Sequence, residues 1–440
     1  MMQEMVSGSY TRSNTLLPRA DALVRLPCSC HNQPAELDIT SRQLTKGVIL
    51  IGDPGCGKTT AVCSVLKQLR SKLAPGDLLA VYDPKSEFAD SLGRKGDILL
   101  GGSEAHAPNV RSNIFSEALA GPAGRRSISV GALRGRLHAI ALGIIPEENK
   151  SDTQPYFIHS ARRALEIILE ACLLTPALLP ELCNEALLHA LGSEKFLAQV
   201  IRVSGQGSTL QELIGSGSTR NIAQQNVYAE LLLNAQQTMM GFNRGAAPDA
   251  EKFSIVSAVH SDPGGRAVFL QNRWTEGGMT QAYAGLLVQL LVDEWLTYGK
   301  GRKLYLVLDE FSNLGAGVQA TLTKALSLGR SAGICLICTA QNVSMLKEKF
   351  KTAQSMLASF QTKLLFLTTD AETRGLIKHL CGKVRSQTLN FYPGVSLTAG
   401  AVQETDAVTD TELMDFDIGT AVYTAPGQAP CIVDLHEEGC

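Results

Sequence analysis

A segment near the start of the chain has the residue types and spacing of a phosphate-binding loop. Gly52 is followed by four residues and then by Gly57, Lys58 and Thr59. Glycines let the backbone curl so that several N–H groups point at one phosphate, and the positive end of a following helix adds to the attraction. The residues that we expect to contact the nucleotide are Gly52, Asp53, Pro54, Gly55, Cys56, Gly57, Lys58, Thr59 and Thr60.

Two side chains of this loop have roles that follow from the motif. Lys58 is predicted to reach the β- and γ-phosphates of ATP during catalysis, and the Thr59 hydroxyl is predicted to ligate Mg²⁺. The alternative is a glycine-rich turn that fits the pattern by chance. A strand-like run at 48–51 and a helical pattern at about 61–73 supply the context that the motif requires, and they favour the nucleotide site.

A pair of acids follows a second apolar run, 304–308. Five apolar residues can pass through the centre of a sheet and deliver Asp309 and Glu310 at its carboxyl-terminal edge. There Asp309 would hold Mg²⁺, and Glu310 would be the general base that activates the attacking water. The alternative is an acidic pair that begins a surface helix. Two motifs in the expected order favour ATP hydrolysis over nucleotide binding alone.

The next strand-like run, 334–339, is followed by Ala340 and Gln341. A glutamine amide at that edge can hydrogen-bond both the γ-phosphate and the lytic water, which would couple hydrolysis to movement of the strand. The alternative is a solvated loop amide. Its place one strand beyond the two acids favours a catalytic role for Gln341.

The elements that must position these residues alternate between strand and helix on both sides of a long helical stretch. This pattern predicts an α/β fold with a central, mainly parallel sheet and an inserted all-α domain. We expect an N-terminal lead-in at 1–45, a discontinuous nucleotide-binding domain at 46–125 and 251–440, and the helical domain at 126–250. Strand-like runs lie at 48–51, 78–82, 267–270, 304–308, 334–339 and 363–367, and helical stretches at 156–174, 180–191, 222–240, 280–298 and 318–328.

Charge is distributed unevenly along the 440 residues. Residues 386–440 contain nine acids and no Lys or Arg, so a formal net charge of −2 leaves +7 for residues 1–385. A composition of 45% hydrophobic and 19% charged residues excludes disordered, collagen-like and coiled-coil proteins. The basic excess is small for a DNA-binding protein and would suffice if a ring concentrated it in a channel. The acidic end is expected to form ordered strands at 418–425 and 431–435.

Cysteine usage and hydropathy indicate a cytoplasmic protein. Eleven cysteines without framework spacing favour a reducing compartment. Cys335 and Cys338 lie in an apolar run and are predicted to be buried strand residues rather than zinc ligands. The first residues lack the apolar segment of a signal peptide, and no apolar stretch approaches the roughly 20 residues that cross a bilayer. Recruitment to the inner face of the membrane would need a partner.

Four motifs together resemble the type IV secretion coupling proteins, the conjugative DNA-transfer ATPases of the TraG/TraD type. They are the phosphate loop at 52–60, Tyr-Asp-Pro-Lys-Ser-Glu-Phe at 82–88, Leu-Asp-Glu-Phe-Ser-Asn-Leu-Gly at 308–315, and Gly-Arg-Ser-Ala-Gly at 329–333 leading to Thr-Ala-Gln at 339–341. The first motif is generic to nucleotide hydrolases, whereas the other three are more specific in this order. The resemblance spans roughly residues 45–430.

The resemblance implies a RecA-like P-loop NTPase core, a homo-hexameric ring, ATP between subunits and DNA in the central channel. A relaxase and secretion-channel proteins would be the partners. Arg330 would reach into the neighbour's nucleotide and stabilise charge on the transferring phosphoryl group. The alternative is a surface arginine at a helix C-terminus. Asp83 and Lys85 would contact nucleotide, relay to the channel or cap the following turn.

One departure from the family concerns the membrane. Coupling proteins usually begin with transmembrane helices, whereas about 45 polar residues precede the first predicted strand here. Either another subunit supplies the anchor or the protein acts in the cytosol. The predicted function is an ATP-hydrolysing DNA-translocating motor. The alternatives are a soluble double-strand DNA translocase of the HerA/FtsK type and a nucleotide-dependent adaptor that recruits protein substrates without moving DNA.

Affinity for DNA would come mainly from Lys and Arg on phosphates. The densest basic run is Arg125, Arg126, Arg134 and Arg136, at the entrance to the helical domain. A solvated basic helix face is the alternative there. The 2 Trp, 9 Tyr and 13 Phe are too few for an extended aromatic stacking platform along a single strand.

Overall fold

A computed structural model describes residues 3–6, 14–103, 106–121, 129–146, 155–239, 243–272, 279–314, 317–390 and 398–436. The strands in these residues are β1 (Gln3–Val6), β2 (Ala22–Cys30), β3 (Gln33–Thr40), β4 (Val48–Ile51), β5 (Leu78–Asp83), β6 (Ile98–Leu100), β7 (Val110–Ser112), β8 (Glu251–Phe253), β9 (Ala267–Gln271), β10 (Leu304–Leu308), β11 (Ile334–Ala340), β12 (Thr362–Phe366), β13 (Lys383–Asn390), β14 (Thr398–Asp406), β15 (Thr420–Ala425) and β16 (Gln428–Leu435).

The α-helices are α1 (Ser41–Leu44), α2 (Lys58–Ser71), α3 (Glu87–Leu92), α4 (Ile114–Leu119), α5 (Val130–Ile144), α6 (Pro155–Leu174), α7 (Asn184–Leu191), α8 (Glu194–Val203), α9 (Gly207–Ile214), α10 (Ile222–Met239), α11 (Ile255–His260), α12 (Met279–Tyr298), α13 (Val318–Ala332), α14 (Val343–Lys349), α15 (Ala353–Ser359), α16 (Ala371–Cys381) and α17 (Asp410–Met414). In the described ranges, none of these helices combines the length and the hydropathy of a membrane span.

The chain forms two compact units, each built from separate stretches of sequence. The first unit comprises Met1–Lys72, Leu308–Phe311 and Cys335–Cys440, and the second comprises Leu73–Val307 and Ser312–Ile334. The phosphate-binding loop, both acids of the Asp-Glu pair and Gln341 therefore belong to one unit.

The first unit is built on strands in the order β3-β2-β16-β15-β12-β4-β11. β4 pairs in parallel with both β11 and β12, and every residue of these three strands is buried. Continuous apolar runs are what parallel strands covered on both faces require. Cys335 and Cys338 are buried inside β11, as predicted. β15 and β16 confirm that the acidic end of the chain contains ordered strands.

The N-terminal stretch differs from the expected lead-in, because β2 and β3 form a hairpin beside β16. The expectation that the first strand lies at 48–51 is therefore wrong. The hairpin turns at His31 and Asn32, which both have positive φ, as a two-residue turn between right-twisted strands demands. Burial alternates along most of β2, so its sequence lacks the continuous apolar run that marks the central strands.

The second unit contains strands in the order β10-β5-β9-β6, and β9 is parallel to both β5 and β6. In the described part of 129–239, every regular element is a helix. α7 begins at Asn184 rather than at Pro180, because the Cys183 side chain accepts the Ala186 N–H and caps the helix there. The boundaries of the helical domain at 126–250 stay a prediction.

A buried carboxylate, Glu117 in the first turn of α4, holds the start of α11 in this unit. It accepts hydrogen bonds from the Ser254 hydroxyl (2.7 Å) and from the backbone N–H groups of Ile255 (2.9 Å) and Val256 (3.0 Å). The side chain is nearly inaccessible, and burial raises the pKa of Glu117 to about 7 although these hydrogen bonds lower it. The folded state therefore favours the protonated carboxyl more than the unfolded chain does.

This pKa makes the stability of the second unit depend on pH. The contribution of protonated Glu117 is complete below the ordinary pKa of 4.5 and is lost as the pH rises through about 7. Wild type loses this contribution as the pH rises, whereas a glutamine does not titrate. From pH 5 to pH 8 we therefore expect the free energy of unfolding of Glu117→Gln to rise relative to that of wild type, by up to about 3 kcal/mol. Thermal unfolding across this range measures the difference. Glu185→Gln, which changes an exposed carboxylate, is the matched control, and a pH-independent difference for Glu117→Gln would contradict the prediction.

Candidate nucleotide site

The phosphate-binding loop begins where β4 ends and is tied to both neighbouring strands. The Gly52 N–H donates to the carbonyl of Ala340, the last residue of β11 (3.3 Å), and the Asp53 N–H donates to the Leu367 carbonyl just after β12 (2.9 Å). A Cβ on Gly52 would lie 2.7 Å from both the Cys56 Sγ and the Phe366 Cβ. The position therefore accepts only glycine, which fixes the path of the loop.

Gly57 is the second position at which the loop needs glycine. Its φ of 101° is left-handed, and a Cβ there would lie 3.2 Å from the Gly419 nitrogen. α2 starts immediately afterwards with no side-chain cap, so its first N–H groups are left to face the loop. Thr59 and Thr60, both partly buried, lie in this first turn.

Lys58 lies inside the loop. Its side chain is nearly buried, and Nζ donates to the carbonyls of Gly52 (2.7 Å) and Asp53 (2.9 Å) and to the Cys56 sulfur (3.6 Å). These acceptors offset the cost of removing an ammonium group from water. Burial raises the pKa of the Cys56 thiol, although the neighbouring ammonium lowers it, so this cysteine stays protonated.

Asp53 has a structural role beyond its backbone contact. Its carboxylate accepts from the Thr369 N–H and hydroxyl, both at 2.8 Å, and from the Thr368 hydroxyl at 3.3 Å. The side chain thus ties the loop to the segment after β12. Sequence reasoning placed Asp53 among the nucleotide contacts but did not find these threonines, because more than 300 residues separate them in the chain.

Both acids of the Asp-Glu pair are nearly buried and meet β11 at its end. The Thr339 hydroxyl donates to Asp309 Oδ1 (2.5 Å), and the Thr339 Oγ1 accepts a hydrogen bond from the Glu310 N–H (2.8 Å). Gln341 Nε2 lies 3.4 Å from Glu310 Oε1. The structure therefore brings Asp309, Glu310 and Gln341 together, and their catalytic roles stay a prediction. It adds Thr339, which the sequence motif contained but to which no role was assigned.

The oxygen donors at this edge suit Mg²⁺, a cation that prefers carboxylates, hydroxyls and phosphate oxygens and keeps several waters. Thr59 supplies a hydroxyl in the first turn of α2, and Asp309 supplies a buried carboxylate that one donated hydrogen bond already orients. A carboxylate that is only 3% exposed is costly without a cationic or hydrogen-bonding neighbour. These residues fit the ion that ATP brings.

A cleft borders the loop on the side of α2. Sequence reasoning missed its walls, because they come from the N-terminal hairpin and from the last strands, far from the loop in the chain. Ile418 is 69% exposed although it is large and apolar. The residues that line the cleft are Leu26, Pro27, Gly57, Thr60, Ala61, Ser64, Ile418, Gly419, Leu435 and His436.

Arg330 and Asp83 both lie in the second unit. Arg330 is exposed in the last turn of α13. Asp83 is fully buried at the end of β5, and its carboxylate accepts the Ala89 N–H in the first turn of α3 (2.8 Å). This contact is the one expected of a residue that caps the following turn. Lys85 is exposed just before that helix.

The basic run at the helical domain is only partly open to solvent. Arg136 is nearly buried, donates to Glu294 (2.9 Å) and also donates to the Ala120 carbonyl, whereas Arg134 donates to Glu170 (2.7 Å). Arg136 therefore has a packing role that is incompatible with a DNA contact in this conformation. The other two arginines of the run, Arg125 and Arg126, lie outside the described residues.

The described strands and helices, together with the phosphate-binding loop, place the chain in a structural class: it has a RecA-like P-loop fold with a mixed, mostly parallel sheet and an all-helical domain. A sequence model of the type IV secretion-system coupling protein DNA-binding domain matches residues 32–431. The chain belongs to this family. No curated protein matched this chain in a sequence search.

Solved structures show the same fold at low sequence identity. The bacterial conjugative coupling protein TrwBdeltaN70 in complex with sulphate is 18% identical with a TM-score of 0.73, covering 100% of this chain and 94% of that one. TrwB in complex with ADP and Mg²⁺ is 18% identical with a TM-score of 0.69, covering 91% and 87%. VirB4 of Thermoanaerobacter pseudethanolicus is 12% identical with a TM-score of 0.57, covering 96% and 98%.

The position of Lys58 inside the loop predicts its importance for nucleotide binding. We expect Lys58→Met to weaken ATP binding about tenfold or more, because the variant loses the only ammonium that the loop encloses among its described residues. Titration with a fluorescent ATP analogue measures the affinity. Lys72→Met, at the other end of α2, removes an exposed ammonium and should bind as wild type does. Equal affinities of the two variants would contradict the assignment.

Proposed function

We propose that this protein is an ATP-hydrolysing, DNA-translocating motor that delivers DNA, or a DNA–protein complex, to a type IV secretion channel. One observation carries the hydrolysis step: a buried carboxylate pair and a glutamine amide meet at the edge of β11, whose last carbonyl also holds the start of the phosphate-binding loop. A site for binding alone has no need of the second carboxylate, Glu310.

Each residue of the site would have a separate role in ATP hydrolysis. Lys58 would exchange its contacts with loop carbonyls for the β- and γ-phosphates of ATP, while Thr59 and Asp309 hold Mg²⁺. The ion, when bound, would neutralise charge on the transferring phosphoryl group. Glu310 would take a proton from the attacking water, and Gln341, within reach of its Oε1, would orient that water.

The cleft beside α2 is where we place the nucleoside. It adjoins Gly57 and Thr60 at the start of the helix, and its apolar residues Leu26, Pro27 and Ile418 offer a surface for the flat face of a base. TrwB has been solved with ADP and Mg²⁺ and with non-hydrolysable analogues of both ATP and GTP. A cleft of mainly apolar residues suits either purine, because it contacts the ring more than its polar edge.

We further propose that the motor is a homo-hexameric ring with DNA in its channel. Membership of the coupling-protein family supports DNA as the substrate. A six-fold ring would concentrate the excess positive charge of residues 1–385 in its channel. In the ring, exposed Arg330 would reach the nucleotide of a neighbouring subunit. A relaxase, secretion-channel proteins and a membrane-bound anchor subunit at the inner face of the membrane would complete the assembly.

The ATPase rate with and without single- and double-stranded DNA, measured together with particle size, tests this function. A coupling motor should hydrolyse ATP faster with DNA and form ring-sized particles. An ATPase rate that DNA does not raise would overturn the motor and favour the nucleotide-dependent adaptor. Movement along naked duplex without any membrane partner would instead favour the cytosolic HerA/FtsK-type translocase.

Replacement of the general base separates hydrolysis from binding. Glu310→Gln should bind ATP as wild type does and hydrolyse it about 100-fold or more slowly, because the amide cannot take the proton of the water. Steady-state phosphate release and nucleotide titration measure the two quantities. Glu372→Gln, an exposed carboxylate paired with Lys347, should retain full activity. Near-normal turnover by Glu310→Gln would remove Glu310 from this role.

If Arg330 acts in the active site of the neighbouring subunit, the ATPase activity lost on its replacement can be restored by mixing two kinds of variant subunit. Arg330→Ala alone should lose most of its ATPase activity, since the transition-state charge loses its cationic partner. Mixing it with inactive Lys58→Met subunits, which retain Arg330, should recover part of the activity because intact sites form at mixed interfaces. Lys324→Ala on the same helix should keep its activity without mixing. No recovery on mixing would favour a surface arginine.

A further inference from the structure

We infer that the Thr339 hydroxyl is a positioning group that orients both acids of the site at once. This inference rests on the proposed hydrolytic function. Thr339 is fully buried in β11 and is bonded to Asp309 through the proton it donates and to the backbone of Glu310 through its oxygen. It does not contact the reacting atoms and acts only through these two residues.

The direction of the two hydrogen bonds follows from the chemistry of the groups. A backbone N–H only donates, so the Glu310 nitrogen must use a lone pair of the Thr339 oxygen. The single hydroxyl proton is then available for the Asp309 carboxylate, at 2.5 Å. One oxygen of Asp309 is thereby fixed, which sets the plane of the carboxylate that we assign to Mg²⁺.

The backbone of Glu310 shows why it needs such a partner. Its φ is 43°, in the left-handed region that residues other than glycine seldom adopt and that is unfavourable for a side chain with a Cβ. The hydrogen bond from the Glu310 N–H to Thr339, at 2.8 Å, helps to hold this conformation. The conformation in turn places the carboxylate within 3.4 Å of the Gln341 amide.

The two residues that follow Thr339 also contact the site, so the end of β11 holds several of its parts. The Ala340 carbonyl accepts the Gly52 N–H at the start of the phosphate-binding loop, and Gln341 reaches Glu310. Thr339 lies opposite Leu50 in the parallel pairing with β4. Three successive residues of one strand end therefore contact the metal carboxylate, the phosphate-binding loop and the general base.

A threonine suits this position better than the two residues nearest to it in shape. Valine has the same shape but neither donates to Asp309 nor accepts from Glu310. Serine keeps the hydroxyl, with a freer χ1 and a missing methyl group. A role in packing alone would therefore rank valine above serine, because the isosteric residue fills the buried space. A positioning role ranks serine above valine, and this opposite order makes the inference testable.

The test compares Thr339→Val with Thr339→Ser in the full chain. We expect the valine variant to lose about 10- to 100-fold in kcat while its affinity for ATP measured without Mg²⁺ stays within about threefold, and the serine variant to recover most of the loss. Thr362→Val is the matched control, because Thr362 is equally buried in β12, on the other side of β4, and its hydroxyl has no hydrogen-bond partner among the described residues. This control should retain wild-type kcat.

A second measurement does not depend on turnover. Thermal unfolding with a non-hydrolysable ATP analogue, with and without Mg²⁺, isolates the stabilisation that the ion adds. Thr339→Val should lose most of this Mg²⁺-dependent increase, whereas Thr339→Ser and Thr362→Val should keep it. Equal increases in all variants, or a serine variant more impaired than the valine variant, would overturn the positioning role. A wild-type protein that shows the Mg²⁺-dependent increase but no hydrolysis would contradict the proposed function and leave the metal part of the inference standing.

Discussion

The parallel pairing of β4 with β11 is the constraint on which the site depends. Thr339 lies opposite Leu50 and Ala340 opposite Ile51, so both strands end at the same level. Every residue of the two strands is buried, and polar groups can accumulate only where the apolar runs stop. The phosphate-binding loop begins where β4 ends, and Thr339 at the end of β11 contacts both acids, so the loop and the acids lie at one edge of the sheet.

The charges gathered at this edge need partners before any substrate arrives. Lys58, Asp309 and Glu310 are each less than a tenth exposed, and burying an ionised group without hydrogen bonds is strongly unfavourable. Loop carbonyls satisfy the ammonium, and Thr339 contacts both acids. The same contacts hold the groups in a fixed arrangement, and such preorganised charge is the main source of catalytic power in phosphoryl transfer.

Contacts distant in sequence complete the surroundings of the loop. The Gly419 N–H donates to the Cys56 carbonyl, and a Cβ on Gly57 would meet Gly419. Leu26 and Pro27 of the N-terminal hairpin line the same cleft. None of these neighbours has a local signature, because β2 is only half buried and pairs with a strand some 400 residues away. Arg136 is an example of the opposite kind: it belongs to a basic run in the sequence, but its side chain is nearly buried and forms an ion pair with Glu294.

The class of the site and the central strands could be predicted from local residue patterns alone. Glycine spacing, Lys58, and acids directly after an apolar run suffice for this, because phosphate binding needs those types at those intervals and buried parallel strands need uninterrupted apolar residues. The polar groups that support the loop and the two acids are seen only in the folded chain. Thr339, Thr369 and the cleft beside α2 depend on strand register and on contacts between remote segments, which local residue patterns do not encode.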